Sequence, residues 1–103
     1  MNRGDVVWAD VPGEKRRPYL ILTRDVGIPL LSRFVAVPAT SRGRGLRSEV
    51  ELGLGDGMPR DCVLSLDNVR TVERVWIRER ICTLPPQKLG QVCAALRYAT
   101  GCP

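Results

Sequence analysis

"KRRPYLIL", residues 15–22, sets three cations and a proline directly in front of four apolar residues. The apolar run from Pro18 to Thr23 is too short for a helix, and it reads as a central strand entered from a cationic turn. Upstream, DVVWADV (5–11) is apolar and β-branched at both parities, and the VPG that ends it and follows it is turn chemistry, so a first strand precedes the turn. Downstream, Phe34-Val35-Ala36-Val37 is a third strand, cut by Pro38, whose missing N–H confines it to a strand end, an edge or a bulge.

Glu49-Val50-Glu51-Leu52 alternates as a strand with one wet face should, and strands are also expected at 62–66, 69–72 and 77–84. The glycines of LGLGDGMPRD (52–61) are followed by neither Lys nor Ser/Thr and lead into a strand, so this stretch is a connector and not a phosphate-cradling loop. Asp67-Asn68 predicts a bend or bulge. After Pro85-Pro86, Leu89, Val92, Cys93, Leu96 and Thr100 share one helical face, and Gly101 sits where the helix should stop. Five to seven short strands and one closing helix predict a small, strongly bent antiparallel sheet or barrel, in a single domain over 1–103 with room for one core.

The chain carries 16 cations against 11 carboxylates, a formal charge of +5, which suits a polyanionic partner such as nucleic acid and equally a soluble basic domain. All but two of the cations are arginine, whose planar fork matches phosphate oxygens two at a time. There is no histidine, so every imidazole-based triad, every His-metal motif and the paired-histidine route to RNA cleavage are excluded. The four cysteines form no C-x-x-C pair, and no stretch has the length of a signal segment or membrane span, so reduced, mostly buried thiols, a cytoplasmic setting and no membrane partner are expected.

Three polar clusters fall at strand ends: Glu14-Lys15-Arg16-Arg17-Pro18, Thr40-Ser41-Arg42-Gly43-Arg44 and Asp67-Asn68-Val69-Arg70-Thr71. Each is ordinary as turn chemistry. Each also has a functional reading: a cation held still by proline and a buried strand at Arg17, a hydroxyl placed for an oxyanion at Thr40, and hydrogen bonding to base edges at Asp67 and Asn68 beside Arg70. Arg42 and Arg44 suit gripping phosphates or stacking on bases.

The order RGDVVWADV, RRPYLIL, FVAVPATS, MPRDCVLSLDNVRTV and a helix with AALRYA resembles the MazF/PemK family of toxins from bacterial toxin–antitoxin pairs, over essentially the whole chain. The resemblance implies a mainly β fold, a compact SH3-like antiparallel β-barrel with a C-terminal α-helix. It further implies a homodimer that cleaves single-stranded RNA with no metal or cofactor, inhibited by a cognate MazE-like antitoxin whose C-terminal tail becomes ordered across the toxin. The family's catalytic positions fall on Arg17, from R-P, and Thr40, from V-P-x-T, and in some members on the aspartate that is Asp67 here. The first loop is shorter than in many relatives, with Gly13-Glu14-Lys15 in place of their G-S-E-Q, so Glu14 is an approximate counterpart of the family's glutamate. Ser65 stands where some members have an arginine.

In such an enzyme the 2′-hydroxyl attacks the adjacent phosphate, leaving 2′,3′-cyclic phosphate and 5′-hydroxyl ends, and DNA is spared. Arg17 would meet the charge developing on phosphate and Thr40, helped by Ser41, would orient it. Glu14 and Asp67 are the carboxylates available as proton acceptor. Lys15, Arg16, Arg42, Arg44, Asn68 and Arg70 would hold the RNA. Two other readings use the same residues: a non-catalytic toxin binding a protein such as DNA gyrase, and a plain RNA-binding module.

Overall fold

The "PYLIL" strand is continuous in its apolar character because both of its faces are covered. The computed structural model describes residues 1–103, and in it β2 (Arg17–Ile21) lies between β1 (Asp5–Ala9) and β3 (Arg33–Thr40) in antiparallel register. Tyr19 and Ile21 point into a nine-residue apolar cluster with Val7, Ala9, Phe34, Ala36 and Val72. Leu20, of opposite parity, joins a thirteen-residue cluster with Val6, Val37, Leu64 and Val92. Two clusters therefore replace the single core expected from length. The same three central strands supply both, so little extra chain is needed, and each fully buried Leu, Ile or Phe contributes about 1.5–3 kcal/mol.

The remaining strands are β4 (Glu49–Leu52), β5 (Cys62–Ser65), β6 (Arg70–Glu73) and β7 (Ile77–Thr83), followed by α1 (Pro86–Thr100). All pairings are antiparallel, in the order β4-β5-β3-β2-β1-β7, with β6 alongside β3. One edge of β3 is shared: β6 pairs with Arg33 to Ala36 and β5 with Ala39 and Thr40. Between them the chain leaves the ladder in a 3₁₀ turn, Leu66–Asn68, the bend read from Asp67-Asn68. Of the strand end, edge or bulge open to Pro38, the structure shows an edge: β3 runs on through it, and Pro38 falls in the gap where β6 has ended and β5 has not begun.

The expected antiparallel β architecture with a C-terminal helix is present, but hydrogen bonds do not close it into a complete barrel. β4 and β7 are the two ends of the ladder. α1 packs on β4 and on the Leu66–Asn68 turn and puts Val92 and Ala95 into the larger cluster. Gly101, at φ +70°, ends the helix in the left-handed conformation that glycine takes without strain. α1 is too short to cross a membrane, and no helix here is long and apolar enough to do so. None of the four cysteines is paired; Cys62 is buried, Cys82 and Cys93 are half-buried, and Cys102 is exposed.

Two local devices fix the strand ends. Asp10, just past β1, takes Arg16 in a fork (2.8 and 3.2 Å) and Arg78 of β7 at 3.1 Å, tying the cationic turn to the next strand. The hydrogen bond from Arg16 holds the Asp10 carboxyl below its ordinary value against a smaller opposing effect of desolvation, with Arg78 adding to the lowering. Gly57, at φ +95°, turns the connector so that Met58 is buried while Pro59, Arg60 and Asp61 stay outside. A Cβ at Gly57 would lie 2.8 Å from the Cβ of Cys82.

Gly57→Ala should therefore lower stability by about 1–3 kcal/mol in denaturant melts, whereas Gly55→Ala, whose Cβ would meet nothing within 4 Å, should be close to neutral. Because the folded-state pKa of Asp10 is lowered, its contribution is complete above the ordinary carboxylate range and fades as pH falls through that range to the lowered value. Thermal melting of wild type and Asp10→Asn should show a gap at pH 7 that narrows at pH 3.

Candidate active site

Strand register brings Arg17 and Thr40 together. Tyr19 faces Pro38 across the β2–β3 ladder, and two steps further along the same register Arg17 stands level with Thr40. Arg17 is also paired with Ala9, and Thr40 with Val63, so each backbone is held from a second side. Both residues line one cleft of about 330 Å³ that opens over the buried Met58 and Cys62, with Lys15, Arg16 and Ser41 also on its walls.

Charge is distributed unevenly around this cleft. Arg16, assigned to RNA from sequence, is held by Asp10 and also lies 3.7 Å from Glu79, so its charge is largely answered within the protein. Its pKa is raised, chiefly by the Asp10 hydrogen bond. Arg17 is half-buried and enters no ion pair or hydrogen bond, as is true of the exposed Lys15 and Arg60 on the same cleft. A guanidinium stripped of part of its water and left unpartnered is set up to receive an anion.

Thr40 also borders a second groove, of about 340 Å³, together with Arg42, Arg44, Asp67 and Asn68. Its hydroxyl donates to the Arg42 carbonyl at 3.1 Å. The loop carrying the two arginines is ordered by Glu49, which accepts the N–H groups of Arg44 (2.9 Å) and Leu46 (3.1 Å). Gly43 permits this approach, since a Cβ there would come within 2.8 Å of Val63 and 3.0 Å of Glu49. The guanidinium groups of Arg42 and Arg44 remain exposed and unpaired. Asp67 accepts the hydroxyl of the buried Ser48 at 2.6 Å, and Asn68 donates to Ser65 at 2.7 Å.

Glu14 and Arg70 line neither groove. They form an ion pair of 2.8 Å linking the first loop to β6, and the Glu14 hydrogen bond is the main reason the Arg70 pKa is raised. Burial is the main cause raising the phenol pKa of Tyr19; the charge of Glu14 adds to it, and Arg70 and Arg17 oppose it. The sequence reading overlooked Trp8, Arg60 and Asp61, all on the cleft. Trp8 carried a signal, a large aromatic of opposite parity to the inward Val7 and Ala9, while Arg60 and Asp61 were indistinguishable from other connector residues.

Residues 2–100 match the family described as PemK-like, MazF-like toxin of type II toxin-antitoxin system. A protein of Mycobacterium tuberculosis named probable endoribonuclease MazF2 is 42% identical over 103 residues, covering 99% of this chain and 100% of the relative. Among solved structures, Mycobacterium tuberculosis toxin MazF-mt6 superposes with a TM-score of 0.87 at 30% identity, over 94% of this chain and 96% of that one. The MazE-MazF structure (form II) from Deinococcus radiodurans gives a TM-score of 0.82 at 28% identity, over 98% and 95%. The chain belongs to the PemK-like, MazF-like family of toxins of type II toxin–antitoxin systems.

Proposed function

We propose that this chain is the toxin of its pair, a cytoplasmic endoribonuclease that cleaves single-stranded RNA by attack of the 2′-hydroxyl on the adjacent phosphate. The observation that carries this reading is the unpartnered, half-buried Arg17 on the same cleft as the Thr40 hydroxyl. The mycobacterial relative named as an endoribonuclease and the MazE-MazF structure support it, and with it a MazE-like antitoxin as partner; the homodimer rests on the family resemblance.

The scissile phosphate sits between Arg17 and Thr40. Arg17 cannot serve as a base at working pH, so it acts on charge: its fork binds two phosphate oxygens and gains strength as they become more negative. The Thr40 hydroxyl turns its proton from the Arg42 carbonyl to a phosphate oxygen, and Ser41 assists. Asp67 is the proton acceptor, since it shares the second groove with Thr40 and Ser48 fixes one of its oxygens while the other is free. Attack closes the 2′,3′-cyclic phosphate as the 2′ proton passes to Asp67, the P–O5′ bond breaks, and the departing 5′ oxygen takes a proton from water. Glu14 and Arg70 tie the first loop to β6, and Arg42, Arg44, Asn68 and Lys15 hold the strand on either side.

A folded Arg17→Ala protein should cleave 100- to 1,000-fold more slowly, roughly the loss of one preorganised donor; full activity of that variant defeats the assignment. Replacing the one ribose at the cut site by deoxyribose should abolish cleavage there in excess EDTA while leaving binding intact, measured by gel separation and by anisotropy. Cleavage of the deoxy substrate excludes the internal nucleophile.

A further inference from the structure

Thirteen residues line the Arg17–Thr40 cleft, and Asp61 is the one carboxylate among them. Lys15, Arg16, Arg17 and Arg60 line the same cleft, yet Asp61 forms no ion pair or hydrogen bond with any of them. Asp61 stands on the rim between this cleft and an adjoining pocket, where its Oδ1 lies over the backbone of Gly53, so close that a Cβ there would be 2.8 Å away. A free carboxylate opposes phosphate binding, so its presence in a cationic cleft needs another partner. Hydrogen-bond donors on the edge of a base provide one.

Trp8 supplies the second half of such a seat. It is half-exposed, stands opposite Pro18 in the β1–β2 ladder, and shares the cleft with Asp61 and the buried Met58. Aromatic rings are the usual platforms for unstacked bases in single-stranded RNA. Guanine alone presents two adjacent donors, N1–H and the 2-amino group, in the parallel arrangement that a carboxylate accepts with both oxygens. Adenine and cytosine set an acceptor next to their amino group, and uracil flanks its single N–H with two carbonyls. Resting on the reading that this cleft binds RNA, we infer that Trp8 and Asp61 seat one guanine next to the scissile phosphate, making them the specificity-determining residues for that position.

The test uses a pool of RNAs randomised around one ribose, with the new ends sequenced, together with anisotropy of 2′-deoxy oligonucleotides that bind without being cut. Wild type should favour guanine at one position beside the cut by roughly 5- to 150-fold, the range for one good bidentate base contact. Asp61→Asn should move that position toward adenine, whose amino group and neighbouring ring nitrogen suit an amide. Trp8→Ala should weaken binding of all oligonucleotides, and Trp8→Phe should restore much of it. Unchanged base preference in Asp61→Asn, or a wild type indifferent to guanine at every flanking position, overturns the inference. If the wild type cuts nothing but the uncut oligonucleotides still show the guanine preference and its loss in Asp61→Asn, the nuclease reading fails and the guanine seat stands.

Discussion

Every feature of the site hangs on burial of the β2–β3 ladder from both faces. Strand register is strongly specified where side chains are packed into a buried face, because a one-residue slip turns every one of them to the opposite face. Here a slip would move Tyr19, Leu20 and Ile21 out of one cluster and into the wrong one, with Phe34, Ala36 and Val37 opposing it from β3. The level at which Arg17 meets Thr40 is thus set by side chains that touch no substrate. The same constraint explains why cations can stand at the mouth of the most apolar segment: the strand they enter cannot drift.

Around that fixed point the protein sorts its arginines by partner. Arg16 and Arg78 are consumed by Asp10, and Arg70 by Glu14. Arg74 lies over the Phe34 ring and reaches backbone carbonyls, and Arg47 lies over Tyr98. Of the arginines on the two grooves, Arg16 alone is paired, and Arg17, Arg42, Arg44 and Arg60 are left unanswered. Surface ion pairs of the first kind contribute little to stability; their larger effect is to leave the field of the grooves to the unpaired cations. A track built this way binds a polyanion without depending on net charge alone.

Much of this was legible in the chain. The strands, the bend at Asp67-Asn68 and the helix stop at Gly101 follow from short-range patterning and turn chemistry, and the R-P and V-P-x-T motifs marked Arg17 and Thr40. What could not be read depended on contacts between distant segments. Arg16 looks as available as Arg17 until Asp10 and Glu79 converge on it from two other places in the sequence. Pro38 leaves strand end, edge and bulge open until β5 and β6 are seen to share one edge of β3. Asp61 is one more charge in a glycine-rich connector until Gly57 turns that connector over the cleft.

The central claim is that one phosphate is held jointly by the Arg17 guanidinium and the Thr40 hydroxyl. A crystal structure of the protein with an RNA carrying a single deoxyribose at its cleaved linkage addresses it directly. The account predicts that phosphate within about 3 Å of both side chains, with the 2′ carbon, the phosphorus and the 5′ oxygen close to a line. A complex in which the scissile phosphate lies outside this cleft, or touches neither residue, would contradict it.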